Sequence, residues 1–517
     1  MSTAADYVTF LSRSGVRLWV DNGQLRYHAK KGVLGSEELT RLRLMRNEIV
    51  AELTKSAASA ADRPSGAHIA GAAEGPVSFQ QRWFLRLLEE YPTWKGTLSS
   101  IFHLKGALDP AVLEKSLEEI LYTHASLRTR IVAARGEWRQ QIELIDGLRL
   151  PIVHVSGETE ADRHHSARVV LQSIGAQELD PTVGPLMTAQ LVRVSAQEHF
   201  LVVLIHRLAA DCLGMGQVFR DLWSLYAQTS QRGSLTSPEK STRYLDYARW
   251  QHTTDGAWRQ KHAAYWNKYL AGADCIRWPR RESIASASAN TSGILTSLES
   301  PFGEALSAGL RELGRQTQTL PGLIMLSVYV TCVSMWCGQK DVVVPFVIAG
   351  RGAAHEGLVG CFSHVVYLRV RLKGSESFSE VLKSVSNEFY RAAAFRQDSG
   401  RMATEMPGFL RGTLCQWLSW HPADIVGLET HIQTSPLGLE VEKMRCQSLE
   451  ELTNAPPEMV DLEINFFDAA GEISALAICR TGRFAEGVLA RLMGELRAVS
   501  ERAIRDSNAP LWVQGEA

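Results

Sequence analysis

Six consecutive apolar residues, Phe200-Leu201-Val202-Val203-Leu204-Ile205, run straight into His206-Arg207. So short a run, bounded this way, reads as a strand buried on both faces. Thr188–Val194 alternates just before it, so the two form a hairpin with His199–His206 as the second arm. Amphipathic helices surround the pair. Ala111–His124 carries Leu113, Leu117, Ile120 and Leu121 on one side, with Asp109 and Pro110 as cap and first position. Met215–Ala227 buries Val218, Phe219, Leu222 and Tyr226; Gly487–Ile504 spaces Leu489, Leu492, Leu496 and Val499 in the same way. Pro321–Trp336 is apolar all round and reads as a buried helix, followed by strand Val342–Ile348. Strands and helices mixed without a short repeat from residue 76 onward predict an α+β body of two lobes, 76–248 and 249–517.

Composition narrows the functional classes. The 517 residues suffice for about three to four domains, and 45% apolar with 21% charged side chains excludes a mainly disordered chain. Fifty-five basic against 56 acidic residues give a net charge of −1, so no global basic field for nucleic acid exists. The longest apolar run, Leu323–Cys337, is broken by Ser327, Thr331 and Ser334 and is too short for a bilayer needing about 20 residues. No apolar signal core follows Met1, and eight cysteines lack any CxxC pair, which predicts reduced, mostly buried thiols in a cytoplasmic protein that works without a membrane. Metal-ligand spacings and glycine-rich phosphate loops are not found, so neither a metal nor a bound cofactor is expected.

Residues 1–55 read as a separate αββα unit. Tyr7, Phe10 and Leu11 have helical spacing; Arg17–Val20 and Leu25–His28 are strands around the turn Asp21-Asn22-Gly23. After the loop Lys30–Gly35, Ser36 caps a helix over Glu38–Leu53. The unit is basic, with nine Lys/Arg against six Asp/Glu. Residues 56–75, rich in Ala, Ser, Gly and Pro, predict a flexible linker.

The end of the buried strand, His206-Arg207-Leu208-Ala209-Ala210-Asp211-Cys212-Leu213-Gly214, is where a rigid backbone would offer side chains to a cleft. It resembles the HHxxxDG motif of condensation domains in nonribosomal peptide synthetases. Other segments match that family in the same order: Ser78–Leu85 its opening S-x-Q-x-R-x-W-F-L, His124–Thr129 its H-E-x-L-R-T, and Tyr244–Trp250 its Y-x-D-[FY]-A-x-W. Tyr265-Trp266 and Ala271-Gly272 follow in place. Ala349-Gly350-Arg351 and Val359–Arg369 resemble G-R to I-G-x-F-x-N-x-L-x-R, with His364 where Asn is usual. Near Arg396–Phe409 the usual H-x-x-x-P-F segment is not found, and Cys212 stands at the glycine after Asp211. Residues 1–55 resemble the N-terminal docking domain of the tubulysin-synthetase type, through Leu18-Trp19-Val20, Gly23, Leu25-Arg26-Tyr27 and Lys31-Gly32.

The resemblance implies two chloramphenicol acetyltransferase-like lobes forming a V around a central tunnel. A donor acyl group and an acceptor amine, each on a carrier's phosphopantetheine arm, would meet there. It implies that Arg207 occupies the place of the catalytic His, that His206 is chiefly structural, and that Asp211 is structural and paired with Arg351. An arginine keeps its proton and cannot be a general base. Positioning still supplies about 7–11 kcal/mol, and an α-amine with a pKa of roughly 7.7–8.0 is partly neutral at cytosolic pH. The expected reaction is therefore amide formation. Alternatives are a catalytically silent module that binds carriers or recruits an enzyme, and an acyltransferase using a free amine or acyl-CoA. For the docking unit the resemblance implies capture of an acidic C-terminal tail from an upstream subunit, strand Leu25–His28 adding the tail at its edge. Arg17, Arg26, Tyr27, Lys30 and Lys31 would meet it.

Overall fold

A computed structural model describes residues 17–21, 24–28, 46, 49–50, 73–134, 136–143, 148–232, 243–253, 256–278, 295–396, 412–418, 439–443, 459–469, 471–480, 484 and 487–512. The chain divides into two compact units, Met1–Ala70 and Gly71–Ala517.

In the first unit, β1 (Arg17–Asp21) pairs antiparallel with β2 (Gln24–His28), in the register Trp19↔Arg26 and Leu18↔Tyr27. Each strand is one residue longer than the sequence pattern predicts. Helical backbone at Arg46, Ile49 and Val50 falls inside the predicted second helix. The predicted first helix, Ser36, Lys30 and Lys31 lie outside the described residues.

The second unit opens with β3 (Ala73–Pro76), which pairs with a later hairpin. Three residues of the predicted linker are thus sheet. Close packing requires the glycine at 75: a Cβ there would sit 2.5 Å from Leu245 Cδ1. Arg139 and Gln141 hold the Glu74 carboxylate across the ladder. Then come α1 (Phe79–Glu90), with a Ser78–Gln81 capping box, and β4 (Thr97–Lys105). Helix α2 (Pro110–Thr123) starts where Asp109 and Pro110 predict, the Asp109 carboxylate accepting from the Ala111 and Val112 amides. Strands β5 (Thr129–Ala134) and β6 (Glu137–Ile142) complete a three-stranded sheet with β3. Next are β7 (Ile152–His154), α3 (Glu160–Gly175), and the expected hairpin β8 (Met187–Arg193) and β9 (Glu198–His206).

Both faces of β9 are covered. Leu201, Val203 and Ile205 join the main core under α2 and α4 (Cys212–Arg232), while Phe200, Val202 and Leu204 pack beneath Ala167, Leu171 and Ile174 of α3. Helix α4 begins three residues earlier than the apolar spacing predicts. Asp211 caps it: Oδ1 accepts from Gly214 N–H at 2.8 Å and its carbonyl from Met215 N–H at 2.8 Å, so the glycines near the start do not delay the helix.

Helix α5 (Tyr244–Thr253) spans the predicted lobe boundary, and α6 (Gly256–Leu270) follows. The second lobe contains β10 (Leu295–Pro301), α7 (Glu304–Thr317), α8 (Pro321–Cys337), β11 (Asp341–Ile348), β12 (His364–Arg371), α9 (Phe378–Ala394), β13 (Thr413–Leu418), β14 (Glu440–Lys443), β15 (Leu462–Ala469), β16 (Glu472–Arg480) and α10 (Val488–Arg505). Its six-stranded sheet runs β10-β16-β15-β13-β11-β12. The apolar helix α8 is buried from Gly322 to Ser334, and among the described residues no single helix is long and apolar enough to cross a membrane. One strand crosses over: β14 pairs with β4, so the first lobe's sheet reads β14-β4-β9-β8-β7. This exchange, with α5 shared between halves, makes the two lobes one compact body.

Candidate active site

The β9–α4 turn carries the motif. His206 ends β9 only 2% exposed, and its Nδ1 accepts from the Leu208 N–H at 3.1 Å. The imidazole is folded onto its own turn, and a Cβ on Gly96 would lie 2.4 Å from Nε2. Burial, reinforced by the neighbouring Arg207 cation, pushes the imidazole pKa down to about 3. His206 is therefore neutral, and the nitrogen able to accept a proton is already engaged.

Arg207 is 7% exposed. Its backbone N–H donates to Gly96 O at 2.8 Å, and its guanidinium carbon lies 5.3 Å from the centre of the Trp94 ring. A cation over an indole face in a site sheltered from water is held electrostatically by the ring. Trp94 was not legible beforehand, because it sits in the irregular segment between α1 and β4, with no periodic pattern to mark it.

Asp211 and Arg351 come together at 2.6 Å (Nη1 to Oδ2), their side chains 6% and 11% exposed. Asp211 Oδ2 also accepts from Phe362 N–H at 3.1 Å and Ser363 Oγ at 3.3 Å, and the Asp211 amide donates to Gly360 O at 3.0 Å. Arg351 donates further to Leu358 O and lies 4.6 Å over the Phe362 ring. The carboxylate thus ties the end of the first lobe's central strand to the β11–β12 connection of the second.

A second inter-lobe knot lies alongside. Gln80 Nε2 reaches His364 Nε2 at 2.7 Å and Gln251 Nε2 donates to Gln80 Oε1 at 3.1 Å and Tyr247 Oη at 3.0 Å. Tyr244 Oη donates to Cys361 O at 2.6 Å and lies 2.6 Å from Ser78 Oγ. Burial pushes His364 down to about 3, and it raises the Tyr244 phenol and the Cys361 thiol far above their ordinary values. The network knits Ser78 and Gln80 of the opening segment to Tyr244 and Tyr247 of the third and to Cys361 and His364 of the fourth. The three sequence segments are one packed unit.

Chemically, the turn supplies a sheltered permanent cation on a rigid frame. Neither His206 nor Arg207 is available to take a proton. Of the residues expected to meet an acidic tail, Arg17, Arg26 and Tyr27 fall on the β1–β2 hairpin, and Lys30 and Lys31 lie outside the described residues.

The Condensation domain profile matches residues 72–400, and the TubC N-terminal docking domain profile matches residues 5–54. The chain belongs to the condensation-domain family, whose members form amide bonds between substrates borne on carrier phosphopantetheine arms. The matched segments put a docking domain ahead of the condensation domain in the chain. Among relatives, Malpibaldin synthetase of Mortierella alpina is 27% identical over 449 residues; the match covers 84% of this chain and 8% of the synthetase. The chain thus spans less than a tenth of that relative. Among solved structures, the EpoB NRPS cyclization-docking bidomain of Sorangium cellulosum aligns with a TM-score of 0.68 at 16% identity, covering 98% of both chains. The X-domain in its complex with OxyB from teicoplanin biosynthesis aligns at 0.68 and 19% identity, over 86% of this chain and 97% of that one. These likenesses establish the chloramphenicol acetyltransferase-like fold of the lobes.

Proposed function

We propose that the protein joins a carrier-bound acyl or aminoacyl thioester to a carrier-bound amine, with Arg207 acting as a fixed cation in place of a histidine base. The sheltered guanidinium on a turn locked between both lobes carries this reading. Near an α-ammonium it would favour the neutral amine by like-charge repulsion, and it would donate to the oxyanion as the thioester carbonyl is attacked. The nitrogen–carbon bond forms, the carrier thiolate leaves, and the amine's proton passes to solvent or to the thiolate. His206, Asp211 and Arg351 hold the turn and do not touch the reacting atoms. The N-terminal unit would receive the acidic tail of an upstream synthetase subunit through Arg17, Arg26, Tyr27, Lys30 and Lys31, placing the work in the cytoplasm.

The test is reconstitution with a loaded donor carrier and a loaded acceptor carrier, followed by intact mass. Wild type should form amide, and Arg207→Ala should lose about 10²–10³ in rate, the loss typical of one oxyanion donor. Arg207→Lys should keep part of the activity. An inactive wild type revived by Arg207→His would refute the cation mechanism.

A second reading is a silent module that presents carriers to another enzyme. The engagement of His206 Nδ1 by its own turn favours it, since no motif residue is left to accept a proton. The aligned X-domain is described in a complex with OxyB, so a domain of this fold can bind a separate protein. Carrier binding unaffected by Arg207→Ala, with no amide from either protein, is what this reading expects.

A further inference from the structure

Away from the motif turn, the outer face of the first lobe gathers Glu160, His164 and Glu198. The structure assigns a zinc site to these three residues, with His103 behind them; this is independent of the reaction proposed above. Glu160 and His164 stand one helical turn apart at the start of α3, where a Thr159–Asp162 capping box fixes the first turn. Glu198 opens β9 beneath them. His164 Nε2 lies 3.8 Å from Glu160 Oε1 and 3.4 Å from Glu198 Oε2, and the three donor atoms all fall within 4.8 Å of one another. A tetrahedral ion with bonds of about 2.0–2.1 Å needs donors about 3.3 Å apart, so modest closure completes three corners and leaves a fourth for water.

The second layer separates this group from a chance meeting of surface charges. Glu198 is held from behind, its Oε1 2.7 Å from His103 Nε2, and both side chains are mostly buried. The His103 ring stacks on Phe200 with centroids 4.5 Å apart, and the His164 ring stands edge-on to the same phenyl at 6.5 Å. One aromatic core residue therefore orients both imidazoles, as outer partners orient metal ligands elsewhere. His164 is 38% and Glu160 78% exposed, which leaves an entry path from solvent. One imidazole with two carboxylates suits Zn²⁺ better than Mg²⁺ or Ca²⁺, which prefer all-oxygen shells. The bound ion would clip the first turn of α3 to the end of β9. Glu198 lies 34 positions or more from Glu160 and His164 in the chain, so the group forms only where α3 packs on β9.

The test uses the full-length protein stripped with chelator and titrated calorimetrically with Zn²⁺ alone at pH 7.5. One equivalent should bind, with a rise in melting temperature, and Mg²⁺ should not compete. His164→Ala and Glu160→Gln should each weaken binding at least tenfold, and His103→Ala by about 10–100-fold as a second-layer change. Co²⁺ in place of zinc should give the intense visible bands of a tetrahedral site. Zinc captured by thiols would survive both His164→Ala and Glu160→Gln and disappear on cysteine alkylation, overturning the assignment. Absence of one-to-one binding would overturn it equally, and Glu160→Gln, on an exposed side chain, keeps the test independent of folding.

Discussion

Removing the Asp211 carboxylate should unfasten the two lobes at a calculable cost. Four donors converge on it: Arg351 Nη1 at 2.6 Å, Gly214 N–H at 2.8 Å, Phe362 N–H at 3.1 Å and Ser363 Oγ at 3.3 Å. Asp211→Asn keeps the shape and an acceptor oxygen but leaves a guanidinium, 11% exposed, without its counter-charge. Breaking one side of a buried pair costs about 3–5 kcal/mol, far above the 0–1 of an exposed bridge. Urea unfolding followed by tryptophan fluorescence reports on the right unit, since only Trp19 of the thirteen tryptophans precedes residue 71. Asp211→Asn and Arg351→Ala should each lower the stability of the body by about 3–5 kcal/mol, with little dependence on salt because the pair is sheltered. The double variant should cost much less than the sum, giving a coupling of about 1.5–3 kcal/mol. A coupling under about 0.5 kcal/mol, or strong salt sensitivity of the wild-type stability, would refute the bracing argument.

Three further outcomes follow from the same geometry. Gly96→Ala, whose Cβ would lie 2.4 Å from His206 Nε2, should destabilise by about 1–3 kcal/mol as an overpacked site and should disturb Arg207 through its bond to Gly96 O; an unchanged melting temperature would refute this. Burial pushes the pKa of His206 and of His364 down to about 3 in the fold, against about 6.5 when unfolded, so the unfolded chain binds more protons as pH falls. Stability should be complete above pH 6.5 and fall by up to about 1.4 kcal/mol per pH unit for each histidine below it, and urea midpoints at pH 7 and 5 should show a shallower slope in His364→Asn. Charge reversal at Arg26 and Lys31 should weaken capture of an acidic peptide, more at low salt than at high, as titration by fluorescence anisotropy would record; unchanged affinity would count against the docking assignment.

Much of this was written locally in the chain. The periods of α2 and α10 lie in the spacing of their apolar residues, the buried β9 and α8 in unbroken apolar runs, and Asp109 and Pro110 mark a helix start within a residue of where it falls. The order of matching segments along the chain is itself enough to mark a condensation domain. Packing decided the rest. The bond between Asp211 and Arg351 joins positions 140 apart, and β14 reaches back to β4 across more than 300 residues. The cation over Trp94, the depressed imidazoles of His206 and His364, and the gathering of Glu160, His164 and Glu198 likewise depend on which surfaces meet. Local pattern encodes which face of an element turns inward. Which groups then share a sheltered space, and what that shelter does to their charge, is set when the elements close on one another and exclude water.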